Sequence, residues 1–333
     1  MTESSPADYL QSDYMLEKMD LNMASVSLSN YLPLLDERIK IQGFHTVLSE
    51  QHNKTGKTMR AVAKLIGIHE VTYQLYLKGK NRPDFKMLKK LSQVYGVDLL
   101  QVAFDANCKF VVKKKVVDLP RQLTANLVYY VGYLQGDGYL SKYGLHIGFC
   151  DEYREQMEQM NKLTKNIFGI EGRLESRLSK ISKKPHFNLT VNSMAINSFL
   201  NTVFGINKGV KIGLRIPNVI LSNTELTKVY LAGLYDADGT IPKNPLKAKQ
   251  LFLDITLKDR EFVEEIQQVL YRFGITSLKL YKRTTLSFAG KYTSPSWEIQ
   301  IRRHCEIKRF LENISFQHPD KSRRAKEVLA MLA

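Results

Sequence analysis

The chain has 333 residues, 44% of them hydrophobic, which predicts two or three domains with real cores and excludes a disordered chain. Its formal net charge of +16 at pH 7 favours a polyanionic partner, with nucleic acid ahead of an acidic membrane surface. No apolar run approaches the roughly 20 residues of a membrane span. The three cysteines are isolated, so neither a disulfide framework nor a zinc site is expected.

Residues 1–36 show no clear periodicity and are predicted to form a mobile or loosely packed N-terminal arm. The first stretch, MTESSPADYLQSDYMLEKMD, is acidic and lacks arginine, so it resembles neither a signal peptide nor a transit peptide. A cytoplasmic location is expected, associated with the nucleoid if the source is prokaryotic.

Residues 37–105 have helical periodicity and are predicted to form an all-α domain. Within it, MRAVAKLIGIHEVTYQLYLKGKNRPDFKMLKKLSQVYGVDL, 59–99, resembles a phage-repressor-type helix-turn-helix. Ala63 falls in the scaffold helix of that motif and Gly67 at its turn. The basic, β-branched stretch that follows, KFVVKKKVVDLP, favours a linker over residues 106–123.

The resemblance implies that the next helix, from about His69 to Lys78, presents its N-terminal residues to DNA bases. By helical phase the DNA-binding candidates are His69, Glu70 and Gln74, while Tyr73 and Tyr76 should pack inward. This helix is poor in arginine, so a degraded or protein-binding domain remains an alternative.

Beyond the linker the chain repeats itself. TANLVYYVGYLQGDG, 124–138, and SNTELTKVYLAGLYDADG, 222–239, are apolar helical stretches that both end in Asp-Gly, 101 residues apart. In each copy two strands, an acidic-fronted helix, two longer strands and a closing helix follow. The sequence therefore predicts two repeats, residues 124–221 and 222–333. Thr124 is expected to cap the first helix, and Ser222 with Glu225 to form a capping box on the second.

Period-two alternation in the longer strands predicts sheets with an apolar back and a polar, largely basic front. Two matching basic fronts in a chain of this charge favour a nucleic-acid surface over a merely solvated one. The side chains predicted to contact DNA are Arg173, Arg177, His186, Asn188, Thr190 and Asn192 in the first copy, and Lys279, Tyr281, Arg283, Gln300 and Arg302 in the second.

The two Asp-Gly helices carry small residues at Gly132, Ala232 and Gly233, which would let them pack closely. Their C-termini would then bring Asp137 and Asp238 together. Two close carboxylates at two negative helix ends repel each other, and Mg²⁺ relieves the repulsion because it prefers oxygen ligands. Such an ion would activate water and stabilise charge on a phosphodiester.

LAGLYDADG, 231–239, resembles the signature of LAGLIDADG homing endonucleases, and VGYLQGDG, 131–138, resembles a divergent second copy. The resemblance implies an α+β fold of two pseudo-symmetric αββαββα repeats that form a DNA-gripping saddle. It also implies cleavage of both DNA strands across the minor groove with Mg²⁺, for which Mn²⁺ would substitute.

The resemblance also assigns site residues. The metal-binding acid at the eighth motif position is Asp137 in one copy and Asp238 in the other, and the preceding residues, Gly136 and Ala237, are further metal-ligand candidates. The sixth position is Asp236 in the second copy but Gln135 in the first, which departs from the pattern. Family members often carry a lysine near the end of each repeat, close to the scissile phosphates. The matching residues are Lys211, with Lys208 as a rival, and Lys321.

The sequence therefore predicts a monomeric, site-specific DNA endonuclease of the intron-homing type, with double-stranded DNA as partner and neither a membrane nor a small-molecule substrate. Two alternatives stay open: a transcription regulator of the same fold that does not cleave, and an RNA-splicing maturase. The chain starts MTE and ends MLA, without splice-junction residues, so an intein is not expected.

Overall fold

The computed structural model describes residues 26–106, 108–112, 115–178, 184–286 and 293–333. The first 25 residues of the predicted N-terminal arm lie outside this part of the chain. The rest of the arm is not loosely packed, because Leu28, Leu32 and Leu35 are buried around a 3-10 helix, Ser29–Leu34. The arm prediction is therefore wrong for these residues.

The N-terminal unit contains one short strand and five helices. In chain order they are β1 (Lys40–Gln42), α1 (His45–Lys54), α2 (Met59–Ile66), α3 (Glu70–Leu77), α4 (Phe85–Tyr95) and α5 (Leu99–Asp105). Gly67 ends α2 in the left-handed conformation, with φ of 75°, and so forms the predicted turn of the helix-turn-helix. The strand was not predicted, so the unit is mainly rather than wholly helical.

The segment predicted as a linker contains two strands, β2 (Lys109–Val112) and β3 (Lys115–Val117). They form an antiparallel sheet with β1, in the order β1-β2-β3. Phe110 and Val117 bury their side chains in the core. The linker prediction is wrong for these residues because the β-branched stretch pairs with a strand from the far end of the N-terminal unit.

Two units with the order α-β-β-α-β-β-α follow, which confirms the predicted repeat fold. The first repeat contains α6 (Ala125–Gly136), β4 (Gly138–Leu140), β5 (Ile147–Asp151), α7 (Arg154–Phe168), β6 (Arg173–Leu178), β7 (Pro185–Val191) and α8 (Met194–Phe204). The short helix α9 (Asn218–Leu221) leads into the second repeat. The second repeat contains α10 (Thr224–Asp238), β8 (Gly239–Thr240), β9 (Leu253–Leu257), α11 (Arg260–Arg272), β10 (Lys279–Leu286), β11 (Thr293–Ile301), α12 (His304–Asn313) and the additional α13 (Pro319–Met331).

The caps of the two motif helices, α6 and α10, differ from each other. Thr124 caps α6 as predicted, since its hydroxyl accepts a hydrogen bond from the Leu127 N–H. Asn223 caps α10, accepting from the N–H groups of Glu225 and Leu226, so the predicted capping box at Ser222 is wrong by one residue.

Each repeat builds a four-stranded antiparallel sheet, in the orders β4-β5-β7-β6 and β8-β9-β11-β10. The apolar backs are packed into the core, as Leu189 and Val191 show in the first repeat and Ile299 and Ile301 in the second. The polar residues that alternate with them lie on the opposite face. Within the described residues, no helix is long and apolar enough to cross a membrane.

Helices α6 and α10 meet backbone to backbone. A Cβ atom added to Gly132 would lie 2.2 Å from the carbonyl oxygen of Tyr230, and one added to Gly233 would lie 2.3 Å from that of Tyr129. The two contacts are equivalent, because Tyr230 lies three residues before Gly233 and Tyr129 lies three residues before Gly132. This pseudo-twofold contact confirms the predicted close approach of the helices.

We expect Gly132→Ala or Gly233→Ala to destabilise the fold by roughly 1–3 kcal/mol or more, because the new methyl group would overlap a carbonyl oxygen that cannot move without separating the helices. Helix propensity alone would make the alanine variant about 1 kcal/mol more stable than the parent. The sign of the change in the free energy of unfolding therefore separates the two effects. Denaturant unfolding measures it, and a variant as stable as the parent would contradict the close contact.

Candidate functional site

The C-terminal ends of α6 and α10 meet at the centre of the two repeats. A Cβ atom on Gly136 would lie 2.3 Å from the Ala237 Cβ and 3.0 Å from the Asp238 Oδ2, so the second motif touches the first at this point. Asp137 is the residue that closes α6, and Asp238 is the last residue of α10. The structure therefore brings together the two acids that the sequence singled out.

Both carboxyl groups are electrostatically penalised in this position. Burial, followed by the charges of Asp238 and Asp151, raises the pKa of Asp137 to about 7. Burial also raises the pKa of Asp238, which Lys211 and Lys321 lower in part. Both acids therefore favour the protonated form more than an exposed aspartate does, mainly because they are buried, and a bound cation would oppose this effect.

Each predicted lysine lies on the end of the motif helix of its own repeat. The Lys211 Nζ donates to the carbonyl oxygens of Gln135, at 2.9 Å, and of Gly136. The Lys321 Nζ donates to those of Tyr235, Asp236 and Ala237, at 3.0, 2.6 and 3.1 Å. The ammonium groups thus satisfy carbonyls that a helix C-terminus leaves without partners.

This arrangement bears on two predicted metal ligands. The carbonyls of Gly136 and Ala237 accept hydrogen bonds from lysine, and their role as metal ligands stays a prediction. Burial lowers the pKa of both lysines, while the surrounding carboxylates raise it. Lys208 lies further out, against the β4–β5 hairpin, where its side chain approaches Gly144.

The sixth motif positions are buried structural groups in both repeats. Asp236 accepts hydrogen bonds from the Tyr129 hydroxyl, at 2.9 Å, and from the Gln317 N–H, at 2.7 Å. Gln135 accepts from the Tyr230 hydroxyl and donates to the Arg215 carbonyl, at 3.0 Å. A glutamine suits the first repeat because the backbone group it meets there is an acceptor, whereas a carboxylate could not donate.

Sequence reasoning missed two further acids near the site. The carboxylate of Asp151 accepts a hydrogen bond from the Tyr133 hydroxyl, at 2.6 Å, and lies 3.5 Å from the Nε2 of His318. This buried histidine holds the pKa of Asp151 below its ordinary value, against the effect of burial. Asp254, on the front of the second sheet, has a pKa raised to about 6, mainly by burial. Asp151 could have been found from the sequence, because it lies at the end of the strand that follows the Asp-Gly segment and pairs with it.

The predicted DNA-contacting residues of the first repeat lie on one sheet front. Arg173 and Arg177 are exposed and both pair with Glu175, at 2.6 and 2.8 Å. His186, Asn188 and Thr190 lie along β7, whereas Asn192 is exposed one residue beyond the end of that strand.

The front of the second repeat is a connected polar network. Arg283 pairs with the buried Glu298, to which Gln300 also donates a hydrogen bond. Arg302 donates to Gln300 at 2.8 Å, and both arginines lie within 6 Å of the ring of Tyr281. Gln300 is only 6% exposed and is held within the network. Lys279 is exposed at the start of β10.

In the helix-turn-helix, Tyr73 is fully buried and Tyr76 partly buried, which confirms the predicted helical phase. His69 caps α3, because its Nδ1 accepts a hydrogen bond from the Val71 N–H. His69 and Glu70 are exposed and Gln74 is partly exposed. His69 and Glu70 therefore face outward at the start of α3, and Gln74 is partly exposed one turn later.

The donor set at the helix ends fits a hard cation. It consists of carboxylate and carbonyl oxygens, which Mg²⁺ and Mn²⁺ accept and which offer no soft ligand to zinc. Among the described residues, no group of three or more histidine, cysteine, aspartate and glutamate side chains is arranged as a self-contained metal site. An ion held by the two aspartates would therefore need ligands from water or a bound phosphate.

Comparison with known proteins bears on the second repeat and the N-terminal unit. Residues 225–315 match a family model described as a LAGLIDADG-like domain, and residues 53–102 match one described as a helix-turn-helix. The chain carries a LAGLIDADG-like domain. The predicted family resemblance is confirmed over these ranges, and the first repeat shares the element order of the second.

A curated relative is the glutamine–fructose-6-phosphate aminotransferase of Methanocaldococcus jannaschii, 27% identical over 89% of this chain and 25% of its own length. The chain spans a quarter or less of the curated relatives it matches. Among solved structures, full-length DUF199/WhiA from Thermatoga maritima is 16% identical, with a TM-score of 0.42 and coverage of 63% of this chain and 62% of its own. The homing endonuclease I-WcaI, bound to its DNA recognition sequence, is 16% identical, with a TM-score of 0.41 and coverage of 57% and 80%.

The raised pKa of Asp137 predicts how the stability of the metal-free protein depends on pH. Between about pH 4 and 7 the side chain of Asp137 is already deprotonated in the unfolded state but still protonated in the folded state. This residue therefore makes the free energy of unfolding fall as pH rises, and its effect levels off above about pH 7. Asp137→Asn removes this contribution. Its stability relative to the parent should therefore rise with pH in denaturant unfolding with a chelator. A difference that does not change between pH 5 and 8 would contradict the electrostatic account.

Proposed function

We propose that the chain is a site-specific, divalent-metal-dependent endonuclease of double-stranded DNA. The observation that carries the proposal is the pairing of Asp137 and Asp238, one from each repeat, at touching helix ends with a lysine beside each. Carboxylates whose pKa values are raised by burial at such a junction are typical of a functional site, and a bound cation would stabilise their charged forms. Two equivalent pairs of one aspartate and one lysine, related by a pseudo-twofold axis, suit a duplex, whose two strands are also related by twofold symmetry.

Each group has a separate role in this mechanism. Mg²⁺ or Mn²⁺, held by the two aspartates, would supply charge stabilisation and an activated water. Lys211 and Lys321 place positive charge beside the phosphates on which negative charge develops. The sheet fronts, with their arginine, asparagine, tyrosine and lysine side chains, bind and orient the duplex.

A non-cleaving transcription regulator remains the second candidate, favoured by the helix-turn-helix match over residues 53–102. The two functions differ in chemistry rather than in partner, since both bind DNA. Selection of cleaved sites from a randomised long-DNA library in Mg²⁺ distinguishes them. The endonuclease should enrich one long site cut in both strands, whereas a regulator should enrich bound sites that remain uncut.

Asp137→Asn or Asp238→Asn should reduce double-strand cleavage by about 100-fold or more, because each removes a charge that binds the metal. Binding of the selected site in Ca²⁺ should change little, since the sheet fronts make most of the contacts. Cleavage at the parent rate by either variant would contradict the metal-ligand assignment.

The N-terminal unit is packed against the first repeat. The Asp36 N–H donates to the Ser198 hydroxyl of α8 at 2.8 Å, and the Asp118 N–H donates to the Phe168 carbonyl of α7 at 2.9 Å. From this packing we infer that an additional DNA contact of the unit would lie beside the half-site of the first repeat. Removal of residues 1–109 would strip β1 from β2, so substitutions test the contact better than truncation does.

We therefore expect His69→Asn combined with Gln74→Ala to shorten the nuclease footprint at one end only, with the same cleavage rate at saturating protein. Asparagine retains an acceptor for the helix cap at residue 69. Because loss of the base contacts releases the unit from the DNA, its phosphate contacts are lost as well, and the log–log slope of the salt dependence should flatten by about 0.9 for each lost contact. An unchanged footprint would show that the unit does not contact DNA at the cleavage site.

A further inference from the structure

The segment that carries each site lysine is fixed by the other repeat. Lys211 belongs to the first repeat, but three residues later the Leu214 N–H donates to the Asp259 Oδ2 of the second repeat, at 2.9 Å. The Ile216 N–H donates to Glu265 on α11, also at 2.9 Å. These contacts form the first crossed anchor.

The second crossed anchor runs in the opposite direction. Lys321 belongs to the second repeat, and its helix α13 is capped by His318, whose Nδ1 accepts a hydrogen bond from the Lys321 N–H. His318 is 1% exposed and lies against Asp151 and the ring of Tyr153, both from the first repeat. The Tyr153 hydroxyl also donates to Asp320, at 2.8 Å.

The two anchors occupy the same place in the fold but use different chemistry. Asp259 is the N-cap residue of α11, and Tyr153 is the N-cap residue of α7, the corresponding helix of the first repeat. Asp259 holds the Lys211 segment through its carboxylate, which accepts a hydrogen bond from a backbone N–H. Tyr153 holds the start of α13 through its hydroxyl group and its ring. Neither residue touches the acids at the helix ends, so each can act on the site only through the segment it holds.

We propose that Asp259 and Tyr153 are positioning residues that act across the repeats, Asp259 on Lys211 and Tyr153 on Lys321. This inference rests on the proposed endonuclease function for its consequence. If each lysine serves one scissile phosphate, loss of an anchor slows the cleavage of one strand. That strand is the one that depends on the lysine of the opposite repeat.

Two substitutions each remove one hydrogen bond of an anchor with little other change. Asp259→Ser retains a side-chain acceptor for the Phe262 N–H of the helix cap but lacks the second oxygen that reaches Leu214. Tyr153→Phe retains the ring against His318 and loses only the hydroxyl. Asp98→Ser, at the N-cap of α5 in the N-terminal unit, is the matched control for weakening an aspartate cap.

The first measurement needs neither metal nor DNA. Acetylation of lysine amines, followed over time by mass spectrometry, reports how firmly each buried ammonium is held. In Asp259→Ser, Lys211 should be acetylated at least tenfold faster than in the parent, and the acetylation rate of Lys321 should not change. Tyr153→Phe should do the reverse, and Asp98→Ser should change neither. Equal acceleration at both lysines, or at neither, would overturn the anchors.

The second measurement tests the consequence for cleavage, using the selected site with a different dye on each strand in single-turnover reactions. Lys211→Met and Asp259→Ser should slow the same strand at least tenfold more than the other, and Lys321→Met and Tyr153→Phe should slow the opposite strand. Equal slowing of both strands, or a bias toward the wrong strand, would overturn the proposal. A parent protein that cuts neither strand would count against the endonuclease instead, and acetylation would still decide whether the anchors exist.

Discussion

The contact on which the rest of the site depends is the backbone approach of α6 and α10 at Gly132 and Gly233. Because neither residue carries a Cβ, each lies directly over a carbonyl group of the opposite helix. Two helices in such contact end at the same level, so their final residues, Asp137 and Asp238, meet. A pair of larger residues at these positions would separate the helices by a side-chain layer, and the acids with them.

This contact creates an electrostatic problem that the chain solves in part. Two carboxylates and two negative helix ends occupy one small buried volume. Burial, followed by the charges of Asp238 and Asp151, raises the pKa of Asp137 to about 7. Lys211 and Lys321 offset some of the charge by donating to the last carbonyls of α6 and α10. The remaining attraction for cations is the physical basis of the proposed metal-dependent cleavage.

The sequence was sufficient for the features that depend on local pattern. The doubled Asp-Gly motif, the small residues of the helix contact and the alternating strands predicted the repeat fold and the meeting of the acids. Contacts between distant segments carried no such pattern. The pairing of β1 with β2 and the anchors at Asp259 and Tyr153 join residues far apart in the chain. The role of Gln135 likewise depends on which backbone group lies opposite it, which only the folded chain reveals.

The measurement that tests the central claim most directly is thermal unfolding of the parent and of the double variant Asp137→Asn, Asp238→Asn, each at several Mg²⁺ concentrations and with a chelator. The account predicts that Mg²⁺ raises the unfolding temperature of the parent progressively, because only the folded chain brings the acids together. The double variant should be more stable than the parent in chelator, since the repulsion is gone, and should not respond to Mg²⁺. An equal response of both proteins to Mg²⁺, or a double variant less stable than the parent in chelator, would contradict the claim that these two acids form a cation site.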